Sequence, residues 1–483
     1  MKTKLLLLAI LFSVQLVAQA PAIEWDRSYG GTGVDNPGSI QQTTDGGYIV
    51  AGSSNSNNGD VTGNHGMYDC WIIKLDTSGN LVWQKSFGGA ADDRANSIDQ
   101  TTDGGYIVAG YTSSNDGDVS GNHGQKDYWI VKLDDTGNLV WQKTFGGSAD
   151  DYASSIEQTS DGGYIVAGSS NSNNGDLTTN NGQSDYWIVK LDVTGNLVWQ
   201  KSFGNSSDNI AKSIQPTSDG GYIMTGSFRY GGNPSNPFGY TYSDILKLDA
   251  NGNIVWSTAK EISANCIIET TDTGIVVTGS KGSAYAGDDF IGQPTTVIKF
   301  DANGNTIWES AFGSFYSYYS YSTLSVRQTL DGGYILAGFT STGYSYYKIL
   351  KLDASGNLVW QKSGESNTVG LDIEQTLDEG FVLLCTVGYN FKIVKFGPET
   401  LSASEFQSDN QSMIYPNPTQ ETINLKVIDQ YQSLSINDIS GKQLFQTNEK
   451  TESLSLANYQ KGIYFLTMQF ENGKSETHKI IKN

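Results

Sequence analysis

The chain has 483 residues, with 56 glycines, 9 prolines and a formal net charge of −21. So acidic a surface repels phosphate and anionic lipid, which argues against nucleic acid and membrane headgroups as partners; it attracts cations, or simply maintains solubility. Much glycine with little proline suits many tight hairpins and excludes collagen or a proline-rich stalk.

At the N-terminus, Lys2 and Lys4 precede the apolar run from Leu5 to Val17, and Ala18-Gln19-Ala20 follows. These are the three parts of a signal peptide and its cleavage site, so residues 1–20 are expected to be removed on export. The run is too short to span a membrane, and no later stretch of about 18 apolar residues occurs, so no transmembrane segment is expected. Cys70, Cys266 and Cys385 are an odd count at non-equivalent positions. They read as small buried side chains rather than a disulfide framework.

From Asp45 onward the chain repeats. DGGYIVAG starts at Asp45, Asp103 and Asp161, a period of 58, and DGGYIMTG starts at Asp219. Weaker copies begin at Asp272, Asp331 and Asp378, which makes seven. One unit, taken from the second copy, holds four strand-like runs: Ser97 to Thr101, Gly105 to Gly110, Tyr128 to Leu133 and Asn138 to Lys143. Val, Ile, Tyr and Trp dominate the last three, and no helical period occurs. The DGG and DDTGN segments between runs are tight turns. Units of this kind cannot bury their faces alone and must stack. Four antiparallel strands repeated seven times predict an all-β fold, a seven-bladed β-propeller over residues 21–396.

Tryptophan-bearing fourth strands occur at Trp25, Trp83, Trp141, Trp199, Trp256, Trp308 and Trp360. The first precedes any complete unit, and the last unit ends at its third strand, Phe391 to Phe396. Ile23 to Ser28 is therefore expected to complete the last blade and close the ring. The hairpin KLDDTGNLVW, Lys132 to Trp141, resembles the tryptophan-docking repeat of quinoprotein-type propellers. That resemblance implies the fold and packing of tryptophan between blades, and no cofactor.

A four-strand meander puts the tight turns on one face of the ring and the longer loops on the other. Function on such scaffolds concentrates in the long loops. In units 1 to 3 these loops are nearly identical and acidic, ending in Asp60, Asp118 and Asp176, with Asp92, Asp93, Asp150, Asp151 and Asp208 between units. Such oxygen donors suit calcium, so Asp60, Asp118 and Asp176 are candidate ligands, although Asp, Asn and Gly are also ordinary turn formers. Later units exchange these acids for tyrosine: Tyr316, Tyr318, Tyr319 and Tyr344 are candidate contacts for a glycan or protein, and some of the tyrosines there are expected to pack inward. His65 and His123 sit at equivalent positions and read as inheritance of the repeat, not a catalytic triad. No nucleophile elbow, zinc helix or phosphate loop is present. Carboxylates abound, but none, Glu365 and Asp372 included, stands out as a catalytic pair.

After residue 396 the composition changes. Residues 397–411 are polar and serine-rich, as in a linker, and 412–483 alternate apolar and polar positions, as in a small β-sandwich. Tyr415-Pro416-Asn417-Pro418, the NDISGK turn from Asn437, the strand Gly462 to Leu466 with Tyr464, and the basic end with Lys479 and Lys482 resemble the type A C-terminal sorting domain of the type IX secretion system of Bacteroidota. The resemblance implies export, recognition by that secretion machinery, passage through the outer membrane, and removal of residues 412–483 at the surface. The expected protein is thus a secreted or cell-surface binding or adhesion propeller, with no resident cofactor unless calcium. The alternatives are a polysaccharide-active enzyme on the same scaffold or a structural surface component.

Overall fold

The computed structural model describes residues 16–483 except 178, 231–239, 282–283, 287–288, 292–293, 314–319, 342–343, 404–412, 416–418, 427–430, 439–441, 471–474 and 483. It divides into two compact units, one over residues 18–400 and one holding 401–483. The first contains seven four-stranded antiparallel sheets, the blades. Blade 1 runs Asp35–Gln42, Tyr48–Ser54, Asp69–Leu75 and Leu81–Phe87, and each sheet keeps this meander order. The second and third strands of blades 1 and 3 are buried at every residue, as expected for strands covered on both faces.

The innermost strands of the blades are Asp35–Gln42, Asp93–Gln100, Asp151–Gln158, Asn209–Pro216, Ile262–Glu269, Ser320–Gln328 and Thr368–Gln375. Each lies beside the next, and the last returns to the first, so the ring is closed. Closure is completed by Ile23–Tyr29, which pairs antiparallel with Asn390–Phe396 as the outer strand of blade 7.

The inner strand of blade 2 begins at Asp93, four residues before the expected Ser97, and it is the polar residues that were misleading. Asp93 is fully buried, and its carboxylate accepts hydrogen bonds from Thr112 Oγ1, Ser114 Oγ and the Gly89 N–H. A satisfied aspartate can therefore sit in the ladder.

The apolar core lies between blades rather than within them. One cluster joins Ile49, Ala51, Cys70 and Ile72 of blade 1 to Ile98, Tyr106, Val108 and Trp129 of blade 2. Each outer tryptophan reaches across this gap. Trp83 meets Tyr106 of the next blade edge-on at 6.0 Å, and Trp141 meets Tyr164 at 5.9 Å. The same ring covers the next DxxGN turn: a Cβ on Gly137, which has φ +78°, would lie 2.9 Å from Trp83. Glycine there satisfies both the left-handed backbone and the close approach. Cys70, Cys266 and Cys385 are buried and free.

The aspartate of every DGG turn has a role the turn alone does not reveal. A third-strand lysine, buried to its tip, pairs with it in all seven blades, from Lys74 with Asp45 to Lys395 with Asp378.

The second unit packs a three-stranded sheet of Met413–Tyr415, Thr422–Lys426 and Ser453–Ser455 with a four-stranded one of Gln443–Thr447, Tyr431–Asp438, Gly462–Phe470 and Ser475–Lys482. Ile423, Leu434, Leu456, Leu466, Met468 and Ile480 share its core. Within the expected linker, Thr400–Ala403 is a strand. Of the expected signal peptide, residues 1–15 lie outside the described residues and Leu16–Gln19 is a strand. Among the described residues no helix is long and apolar enough to cross a membrane.

Candidate functional site

Two surfaces emerge from this geometry: the loop face and the central channel. On the loop face of blades 1 to 3, each inter-blade loop is tied to the next blade's long loop. Gly30 N–H donates to Asp60 Oδ2 at 3.1 Å and Gly30 O accepts from Asp60 N–H at 3.0 Å. Gly88 repeats the exchange with Asp118, and Gly146 with Asp176. Asn58, Asp116 and Asn174 accept further loop N–H groups at 2.9 Å each. The three expected calcium ligands therefore sit one per blade, and each already accepts a backbone hydrogen bond. Among the described residues no group of three His, Cys, Asp or Glu side chains is placed to hold a metal ion.

The histidines belong to the same scaffolding. His65 donates its backbone N–H to Asp69 and sets Nδ1 2.7 Å from the same carboxylate; His123 does so with Asp127 at 2.6 Å. In the third copy the Asn181 N–H makes the equivalent bond to Asp185. The constant element is the backbone bond, which explains why asparagine can replace histidine there.

Among the candidate tyrosines, Tyr316, Tyr318 and Tyr319 lie outside the described residues. Tyr344, in the three-residue connection between the second and third strands of blade 6, is 60% exposed, whereas its neighbour Tyr347 is buried, opposite Phe339. Of the sorting-signal residues, Pro416, Asn417 and Pro418 also lie outside the described residues, and Tyr415 ends a short strand. Lys482 donates to the carbonyls of Leu456 and Tyr459 at 2.6 and 2.5 Å, and Tyr464 donates to Gln460 O at 2.7 Å. Both anchor the 456–460 segment. Gly462 and Lys479 lie on the paired last two strands, Gly462 opposite Lys482 and Lys479 opposite Phe465.

The channel was not anticipated. Every inner strand carries a β-bulge at one position, held in common by Gly38, Asn96, Ser154, Lys212, Asn265, Leu324 and Leu371. Bulges re-aim side chains, and here the bulged residues line a central cavity of about 690 Å³. Three residues on, the strand pattern S-I-x-Q-T turns position x into the channel as well: Gln41, Asp99 and Glu157 in blades 1 to 3, Gln215 and Ile268 in blades 4 and 5, Arg327 and Glu374 in blades 6 and 7. The buried neighbour before x stays Ile or Val throughout, while x changes in nearly every blade.

Arg327 is fully engaged. Its guanidinium donates to Asp372 Oδ1 at 3.2 Å, Ser325 Oγ at 3.2 Å and Val326 O at 3.0 Å, and lies 3.6 Å from Glu374. Asp99 accepts from the Gln158 N–H and Gln41 Nε2, and Glu374 accepts from the Gln42 N–H. Burial, reinforced by Asp99, pushes the Glu157 carboxyl up to about 8. Burial also raises Glu374 to about 7, against the pull of Arg327. An acid raised in this way holds a proton that the unfolded chain has released above about pH 4.5. Its presence therefore costs stability as pH rises from there to about 8, and the cost levels off beyond. Glu157→Gln is expected to match the parent at pH 5 and exceed it by on the order of 2 kcal/mol at pH 9, discounted for channel water. Urea unfolding at the two pH values checks this; a gap that does not grow with pH would contradict it.

Comparison with known proteins places both units. Residues 413–483 match the family described as secretion system C-terminal sorting domain, and residues 184–405 match outer membrane protein assembly factor BamB. Among solved structures, the chain is similar to PorZ, an essential surface component of the type-IX secretion system of Porphyromonas gingivalis, at 13% identity and TM-score 0.43, covering 91% of this chain and 58% of that one. It thus spans little more than half of that protein's length. BamB from Moraxella catarrhalis is similar at 14% identity and TM-score 0.40, over 78% of this chain and 98% of that one. A protein of unknown function from Bacteroides caccae is similar at 13% identity and TM-score 0.37, over 62% and 92%. No curated protein matches. The chain is thus a β-propeller that matches BamB-like repeats over residues 184–405, followed by a unit that matches a secretion sorting domain over residues 413–483. The sorting domain marks it as secreted or held at the cell surface.

Proposed function

We propose that the propeller is a binding and adhesion module that holds a glycan or protein on its loop face. The observation that supports this most is the reciprocal tying of that face. The three Gly–Asp exchanges at Gly30, Gly88 and Gly146 leave the long loops little freedom to lose when a ligand docks. Tyr344 adds an exposed aromatic with a polar tip, which suits stacking on a sugar ring or gripping a protein. In this reading residues 1–20 are cleaved after Ala20, the C-terminal unit engages the secretion machinery and is then removed, and the propeller is the working part. Because Asp60, Asp118 and Asp176 serve as loop ties, ligand capture does not depend on calcium.

A glycan array and a panel of extracellular proteins, probed with the purified chain, test the proposal. A defined ligand is expected, with Tyr344→Ala weakening it about tenfold and millimolar EDTA leaving it unchanged. Turnover of a polysaccharide without stable binding would instead make the scaffold an enzyme and sink the adhesion reading.

A further inference from the structure

The loop face does not account for the channel. There the repeat diverges at the positions that face the lumen, while the positions that pack blades together stay constant. Four carboxyl groups, Asp99, Glu157, Asp372 and Glu374, look onto this cavity, and the guanidinium facing them is already spent on Asp372 and Glu374. Glu157 differs from the other three: among the described residues no hydrogen bond or ion pair reaches its carboxylate, which is half-buried and lines the channel. Lys212, at the bulge of blade 4, is the other cation on the wall.

The shape of the cavity indicates what would fit. Its volume of about 690 Å³ is that of a small-molecule site and far exceeds the needs of a lone ion. Asp99 and Glu157 come from two different blades and Asp372 and Glu374 from a third, and no three of the four converge as metal ligands must. Spaced carboxylate acceptors of this kind match a group with several N–H donors pointing apart.

We infer that the central channel is a binding site for a small organic cation, a ligand with a guanidinium or primary ammonium group, received by Glu157 and Asp99. The ligand takes the place of the proton that Glu157 otherwise holds, so binding releases a proton and strengthens as pH rises. The charged groups facing Glu157 are Asp99 from blade 2, Lys212 from blade 4, Arg327 from blade 6, and Asp372 and Glu374 from blade 7. Of these, Asp99 and Glu374 hold its proton on, and Arg327 favours its loss.

Isothermal titration of the full chain with agmatine, which carries both cationic groups, tests this site apart from the loop face. Saturable one-site binding is expected, at least tenfold tighter at pH 8.5 than at pH 6.0. Glu157→Gln is expected to weaken it at least tenfold, and Asp99→Asn serves as a second variant should the first fold poorly. Heats that do not saturate, or affinity unchanged in both variants, would overturn the inference. So would equal competition by tetramethylammonium, which has charge but no N–H donors, or displacement of agmatine by equimolar calcium.

Discussion

A chain lacking residues 21–30 is expected to lose more than about 5 kcal/mol of stability, a large part of what holds a domain of this kind together. The segment does three things at once. It covers the outer edge of Asn390–Phe396 over a ladder from Ile23 opposite Phe396 to Tyr29 opposite Phe391, with one bulge between Ile23 and Trp25. It delivers Trp25 onto Tyr48 of blade 1 at 5.8 Å, over the turn glycine Gly79, and buries Tyr29, whose hydroxyl donates to Gly79 O. It also brings Glu24 and Asp26 to the buried ammonium groups of Lys395 and Lys392. Loss of one buried aromatic costs about 3–5 kcal/mol by itself. The edge left behind would also pair with other chains. Urea unfolding followed by tryptophan fluorescence checks this, with Trp25→Ala as a milder case expected to cost about 3 kcal/mol. A truncated chain that unfolds at the parent's midpoint would show that the ring does not close through this strand.

The closing strand was readable because one tryptophan hairpin stood before the first complete unit and one was missing after the last. Blades were readable for a related reason: turn glycines and the apolar strands beside them recur on a strict period. The loop acids were harder. Asp93 and Asp60 look alike in a polar stretch, yet one is buried in a strand and the other ties two loops, and only the fold separates these roles. The channel was hidden for the opposite reason. In S-I-x-Q-T the position x looks like drift between copies. Its meaning depends on which side of the inner strand faces the lumen, and the bulge just before it decides that. A comparison of the copies position by position would have marked x as the variable site in a constant strand.

The lysine–aspartate pairs were equally hidden, since the turn aspartate and the third-strand lysine are 17 to 29 residues apart in sequence. Their partners are unequally placed, and this sets up an asymmetric result. Asp331→Ala is expected to cost about 3–5 kcal/mol, and Lys351→Met only about 1. The Lys351 ammonium is 2% exposed, while Asp331 is 60% exposed. Removing the aspartate leaves a buried charge with only Leu352 O at 3.3 Å, and it also removes the acceptor for Thr329 Oγ1 and the Gly333 N–H at the turn. Removing the charge from the lysine keeps most of its buried stem, and leaves Asp331 solvated and still holding the turn. Partial burial would raise the Asp331 carboxyl, but the bonds from Lys351, Thr329 and Gly333 outweigh it and hold the group below the usual range; Asp272 and Asp45 are lowered to about 2. A depressed carboxyl gives stability that is full above its unfolded value near pH 4 and is lost as pH falls towards 2. The parent is therefore expected to weaken steeply between pH 4 and 2, and the gap between parent and Asp331→Ala to narrow there as the carboxyl is protonated. Equal costs for the two substitutions, or a gap that holds steady into acid, would mean that the buried ammonium is not what the aspartate serves.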